Sequence, residues 1–191
     1  MKIKLLVFIF CISNFSFSQW STSTYAESAL YVCPGFTQGI ITFDDGSSII
    51  LGALSDSRYV QKLDPYGYKL WSQPVEVYNT PGTNNSGNSM SMISDGDGGV
   101  VLWWADYRGA EYIVTEFSTI PCNNALYVQH VNKNGQMKWQ AGGLQIAPIE
   151  GGVKGVGVVR DGSDGFILYM RESDFLRTGA SKKEKTWLVI I

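Results

Sequence analysis

The sequence predicts an all-β protein made of tandem four-stranded antiparallel sheets, and two features of the chain lead to this prediction. An Asp-Gly turn followed by an apolar strand recurs three times, at residues 45–51, 97–103 and 161–169. In contrast, no stretch of the 191 residues shows the 3.6-residue apolar period of an amphipathic helix. Repetition of this kind is typical of proteins that stack one supersecondary unit on the next.

Residues 1–18 have the layout of a secretory signal peptide. Two lysines precede an apolar run at residues 5–12, which is too short to cross about 30 Å of hydrocarbon as a helix. Ser16 and Ser18 supply the small residues of a cleavage site. We therefore expect a chain that is secreted, at the cell surface or periplasmic, with no membrane span after cleavage. The alternative is an N-terminal membrane anchor or a buried strand.

After a lead-in at residues 19–36, the chain divides into two complete units and one incomplete unit, at about 37–80, 88–148 and 153–191. Asp-, Asn- and Gly-containing turns separate the short strands of each unit. The predicted strands are 39–43, 48–54, 58–63 and 68–71 in the first unit, 89–93, 100–104, 126–132 and 136–139 in the second, and 155–159, 166–170 and 187–191 in the third. The matched segments lie farther apart in the second unit than in the first, which indicates an insertion within residues 105–125.

The second strand of each unit is apolar at consecutive positions, as at residues 100–104. Neighbouring side chains of a strand point to opposite faces, so such a strand is buried on both faces. Stacked four-stranded sheets of a β-propeller satisfy this requirement, and a β-sandwich is the alternative. Two and a half units cannot close a ring of 4–8 blades, so we expect a partial propeller. It is either the N-terminal part of a longer chain, an assembly of copies or an open array, and the isolated chain should self-associate.

A Gly-x-x-x-Trp motif closes the first two units, at residues 67–71 and 135–139. Glycine permits the positive φ of a tight turn, and a tryptophan four residues later can pack over the next sheet. Trp71 and Trp139 are therefore predicted to join neighbouring units rather than to bind a ligand.

The second unit contains an Asp-Gly turn at 95–99 followed by Trp103, Trp104, Asp106, Tyr107, Arg108, the Tyr-x-Gln segment Tyr127 to Gln129, Gly135 and Trp139. In this pattern the chain resembles the secreted propeller-repeat proteins of Bacteroidetes-type bacteria. The resemblance covers roughly residues 37–175 and departs from the pattern at Gly52, where a Trp is expected, and in the third unit, which lacks Tyr-x-Gln. It implies a propeller fold, and such proteins commonly have a surface-adhesion role or carry a C-terminal sorting domain.

Composition and residue types argue against several functions. A formal charge of −2 disfavours nucleic acid as a partner. His130 is the one histidine, too few for a Ser/His/Asp triad or a multi-histidine zinc site, so we expect no catalytic or metal residues. The Asp-rich turns are explained by turn chemistry rather than calcium, and no cofactor is expected. Cys33 and Cys122 either pair as a disulfide or remain buried thiols.

Four residues are the candidate ligand-binding set: Trp104, Asp106, Tyr107 and Arg108. One of the adjacent tryptophans can stack on a sugar ring while Asp106 and Arg108 bond its hydroxyls; the alternative is packing between sheets around a buried Asp–Arg pair. We predict a non-catalytic binding or adhesion scaffold for a glycan or protein. The competing interpretation is the N-terminal part of a secreted polysaccharide-acting enzyme, with its catalytic residues beyond Ile191.

Overall fold

The computed structural model describes residues 32–79, 90–108, 112–114, 116, 119–121, 124–147, 152–173 and 184–191. The predicted signal peptide, the lead-in up to residue 31 and Cys122 lie outside these residues. Within the described part of the chain all regular structure is β, which confirms the predicted all-β class. Every pair of neighbouring strands in this described part is antiparallel.

The first sheet is a meander in which each strand pairs with the next along the chain. Its strands are β1 (Phe36–Thr42), β2 (Ser48–Leu54), β3 (Ser57–Leu63) and β4 (Val75–Asn79). The β1–β2 turn is fixed by Asp45, whose carboxylate accepts both the backbone N–H and the hydroxyl of Ser47. The local turn chemistry predicted from the Asp-Gly pairs therefore places these strands.

The second sheet repeats the meander, with a small hairpin inserted between its second and third strands. The four strands and the hairpin are β5 (Ser91–Ser94), β6 (Val100–Asp106), β7 (Tyr112–Val114), β8 (Thr119–Pro121), β9 (Ala125–Val131) and β10 (Leu144–Ala147). The order in the main sheet is β5-β6-β9-β10, and β7 pairs with β8 alone. The insertion predicted within residues 105–125 is this hairpin.

The third sheet has three described strands, β11 (Gly152–Arg160), β12 (Phe166–Ser173) and β13 (Glu184–Ile190), in the order β11-β12-β13. Asp161 organises the β11–β12 turn because its carboxylate accepts the backbone N–H groups of Ser163 and Gly165. The same turn chemistry therefore recurs in all three sheets.

The predicted position of the fourth strand is wrong in both complete sheets. Residues 68–71 and 136–139 each contribute only an isolated bridge, and the fourth strand forms later. The physical reason is a buried glutamine in the third strand. The Gln61 amide donates to the Trp71 carbonyl oxygen at 3.2 Å, and Gln129 accepts the Trp139 N–H at 3.1 Å. A side chain thus replaces the ladder hydrogen bonds that a fourth strand at this position would make.

Strand β6 is buried on both of its faces, as its consecutive apolar residues predicted. Val100, Leu102 and Trp104 contribute to the core shared with the first sheet. Val101 contributes to the separate core shared with the third sheet. The third sheet buries one face more than the other: in β12, Leu168 is fully buried, whereas Tyr169 is 52% exposed. The middle sheet therefore lies between its two neighbours.

Trp71 joins the first sheet to the second, which confirms the docking role predicted for it. Its indole Nε1 donates to the Lys133 carbonyl oxygen at 3.0 Å, across 62 residues of sequence. Gly135 has a φ of +76°, and a Cβ atom there would lie 3.1 Å from the Trp71 ring. Glycine at this turn thus satisfies both the backbone conformation and the approach of the indole.

Candidate functional site

The candidate site lies at the C-terminal end of β6, the end of the second sheet at which the β7–β8 hairpin is inserted. Trp104 and Asp106 are two residues apart and share a face of the strand. The Asp106 Oδ2 atom accepts hydrogen bonds from Trp104 Nε1 at 3.2 Å and from Arg108 Nε at 2.7 Å. Asp106 Oδ1 accepts the backbone N–H of Arg108 at 2.8 Å. A fully buried carboxylate therefore fixes both side chains.

The Arg108 guanidinium lies between two tyrosine rings. Its central carbon is 3.8 Å from the centroid of Tyr127 and 5.3 Å from that of Tyr78. A second nitrogen donates to the Gly142 carbonyl oxygen at 2.8 Å. Although held on several sides, the side chain keeps 27% of its surface exposed. Arg108 is thus a preorganised cation that solvent can reach, consistent with the planar stacking that guanidinium groups favour.

The tryptophan predicted as a sugar platform is buried inside this cluster. Trp104 is 2% exposed. Its ring stacks on Tyr127, with centroids 6.0 Å apart, and meets Tyr78 edge-on at 5.4 Å. Burial raises the pKa of Tyr127, so its phenol stays neutral and can donate to Gln145 Oε1 at 3.2 Å. The Trp104 ring therefore positions the cluster, while Tyr107 and Arg108 retain partial exposure.

Of the predicted set, the structure joins Trp104, Asp106 and Arg108 by hydrogen bonds. It adds three neighbours that the sequence did not single out for this site: Tyr78, Tyr127 and Gly142. Tyr127 belongs to the recurring Tyr-x-Gln segment, which was a visible signal without an assigned role. Tyr78 lies on β4 of the first sheet, outside any repeated motif. It reaches the site only because the first two sheets stack.

Two clefts lie at the end of the sheets opposite Arg108, where the Asp-Gly turns are. One has a volume of about 600 Å³ and lies between the second and third sheets, where its lining includes Asp95, His130, Trp139 and Asp164. The other, of about 630 Å³, is lined by residues of all three sheets, among them Lys62. No group of three or more His, Cys, Asp or Glu side chains suited to a metal ion occurs among the residues described.

His130 is a packed strand residue in the first of these clefts, in line with its predicted role. Its ring meets Trp139 and Phe166 edge-on at 5.9 and 6.1 Å. Its Nε2 atom lies 2.9 Å from Asp95 Oδ2. Asp95 Oδ1 also accepts the backbone N–H groups of Asp97 and Gly99, each at 2.8 Å. Asp95 therefore closes its own turn and anchors the histidine.

We expect Asp95 to make the free energy of unfolding depend on pH in the acid range. Burial disfavours the charged carboxylate, but hydrogen bonds from His130 and two backbone amides outweigh it and hold the pKa of Asp95 below its ordinary value. A lowered folded-state pKa adds stability that is present above the unfolded-state pKa and lost as pH falls through the folded-state pKa. The free energy of unfolding should therefore drop below about pH 4, and less steeply in Asp95→Asn.

Urea denaturation at a series of pH values from neutral to acid measures this dependence. Asp45→Asn is the comparison variant: hydrogen bonds from Ser47 also hold the pKa of Asp45 below its ordinary value, so this variant should lose part of the acid dependence as well. Identical acid slopes for the parent chain and Asp95→Asn would contradict the assignment.

Cys33 is a buried free thiol, so of the two alternatives for the cysteines the structure supports an unpaired Cys33. Burial raises the pKa of this thiol above its ordinary value. Its sulfur lies against Gly52, at the position where the repeat pattern expects a tryptophan. The Cys33 sulfur and the Pro34 carbonyl oxygen leave no room for a side chain at position 52, so this position of the first sheet accommodates glycine and not tryptophan.

These observations define the class of the protein. It is an all-β chain of meander sheets packed face to face, in which Arg108 of the second sheet lies near tyrosine rings of the first two sheets. Comparison with known proteins finds no family model, no curated protein and no solved structure that matches the chain. Among the described residues, no helix has the length and apolar character needed to cross a membrane.

Proposed function

We propose that this chain is an exported, non-catalytic binding or adhesion scaffold built from sheets of the β-propeller type. Its ligand is a glycan or a protein surface that presents carboxylate or hydroxyl oxygens to Arg108. The observation that carries the proposal is the fixed and partly exposed guanidinium of Arg108, which lies four residues before an inserted hairpin in the chain. Export rests on the signal-peptide pattern of residues 1–18.

The packing of the sheets supports a propeller over a sandwich. Each complete sheet is a four-stranded meander, and β6 is apolar and buried on both faces. Strands of a two-layer sandwich bury one face and alternate with polar residues on the other. Face-to-face stacking of successive meanders is the arrangement of propeller blades. Such a rigid scaffold presents its loops in fixed positions, which favours binding.

The hairpin of β7 and β8 supports a binding role at this edge. It interrupts the connection between the second and third strands of the second sheet, whereas the first sheet makes the same connection with a tight turn at Leu54–Ser57. Sheet formation therefore does not require the hairpin. The hairpin begins at Tyr112, four residues after Arg108. Loops added to a rigid scaffold often carry binding residues.

Binding measurements with Arg108→Lys test the proposal. The variant keeps the positive charge but loses the planar fork that stacks on Tyr127 and bonds Asp106. We expect affinity for the ligand found on a glycan array, or in a screen of purified surface proteins, to fall by about tenfold or more. The array and the protein screen distinguish the two ligand classes.

Lys138→Ala is the matched control, because it removes an exposed cation at the opposite, turn-bearing end of the sheets. It should bind as the parent chain does. Circular dichroism should show that both variants retain the parent β-sheet content. Unchanged affinity of Arg108→Lys would refute the assigned site, and hydrolysis of a bound polysaccharide would favour the enzyme interpretation instead.

A further inference from the structure

The third sheet presents an apolar face to solvent. Ile167 pairs with Ile190 and Tyr169 pairs with Leu188, so these side chains project from the same side of the sheet. Four of the five large apolar residues on this side are exposed: Val159 at 49%, Tyr169 at 52%, Leu188 at 68% and Ile190 at 71%. We call Val159, Ile167, Tyr169, Leu188 and Ile190 the tail face.

The first two sheets show what covers the corresponding face. Ile49, Val101 and Ile167 occupy the second position of the second strand in the three sheets. Ile49 is fully buried in the core shared with the second sheet, and Val101 in the core shared with the third. In both cases the cover is the opposite face of another sheet of the same kind. The tail face is therefore shaped for the opposite face of a further sheet.

The first sheet carries the corresponding opposite face, which Cys33 and Pro34 cover at Gly52 and which is uncovered at Ile40. Ile50 occupies the third position of β2, the place that Leu102 occupies in β6. Leu102 packs toward the preceding sheet. Ile40 pairs with Ile50 and is 58% exposed. We call Ile40 and Ile50, on the outer side of the first sheet, the head face.

We propose that the head face of a second copy of this chain packs on the tail face and repeats the contact between sheets. The proposal is independent of the ligand site, which lies on the edge near Arg108. We choose a second copy as the partner because the tail face fits the type of sheet surface that the chain exposes at the head face. The contact joins two different surfaces and is heterologous, so it builds either a closed ring or an extended array.

Sedimentation velocity on the purified chain tests the proposal over about 1 to 100 µM, the range in which a moderate apolar contact should associate. The parent chain should show a concentration-dependent increase in mass. Ile190→Lys and Ile40→Lys each bury a charge in the contact and should each sediment as a monomer. Val114→Lys is the control, because Val114 is 77% exposed on the β7–β8 hairpin, outside both faces. It should associate like the parent.

Mixing the two monomeric variants distinguishes the pairing mode. Ile190→Lys retains an intact head face and Ile40→Lys an intact tail face, so the mixture should form a dimer and nothing larger. A parent chain that stays monomeric throughout overturns the proposal and leaves the tail face to a different partner. Loss of association in Ile190→Lys alone would indicate tail-to-tail pairing, and that result, like a mixture without dimer, also overturns it.

Discussion

Replacing Trp71 by alanine is expected to lower the free energy of unfolding by about 3–5 kcal/mol. The indole is 93% buried in the core between the first and second sheets, where its exposed fraction is 7%. Its loss would leave a cavity over Gly135 and remove the hydrogen bond from Nε1 to the Lys133 carbonyl oxygen. Urea denaturation followed by circular dichroism measures the change.

Trp139→Ala is the matched control for this prediction. Trp139 closes the second unit in the same sequence position but is only partly buried, against the core shared with the third sheet. We expect a smaller loss of about 1–2 kcal/mol. Equal losses in the two variants would show that contact with the next turn contributes little to the role of Trp71.

Replacing Gln129 by leucine is expected to cost about 2–4 kcal/mol, since it leaves three partly buried backbone groups without their side-chain partner. Gln129 is fully buried. Its amide donates to the Gln140 carbonyl oxygen at 2.8 Å, and its carbonyl oxygen accepts the N–H groups of His130 and Trp139. Leucine has a similar size but offers neither donor nor acceptor.

Hydrogen exchange at the Trp139 amide should report the loss directly, with faster exchange in Gln129→Leu than in the parent chain. Gln136→Leu is the control, because Gln136 is exposed and its amide oxygen accepts only from the Asn132 side chain. It should change stability by less than about 0.5 kcal/mol. A Gln129→Leu variant as stable as this control would exclude the proposed role of the glutamine.

Strand positions set by local chemistry could be predicted from the sequence. The predicted strand 48–54 is β2, and the predicted strand 58–63 differs from β3 by one residue. Short apolar runs and Asp-Gly turns act over a few residues, so they are readable without knowledge of the fold. The fourth strands were misplaced because Gln61 bonds the backbone of Trp71, ten residues away. No local pattern shows that contact.

The candidate site divides in the same way. Its grouping followed from spacing alone, since Trp104 and Asp106 share a face of one strand and Arg108 follows directly after it. The burial of Trp104 did not follow, because it depends on Tyr78, which the stacking of the first sheet brings to the site.

The sequence by itself determined the β class, the three repeats, the turns and the strand that needs cover on both faces. These properties are local or periodic, and each residue carries its share of the signal. The tertiary structure decided which aromatic rings pack on Arg108 and which tryptophan bonds a turn of the next sheet. It also decided which apolar side chains of the described sheets are exposed. Those outcomes depend on contacts between residues far apart in the chain, such as Trp71 with Lys133, and such contacts exist only once the sheets have packed.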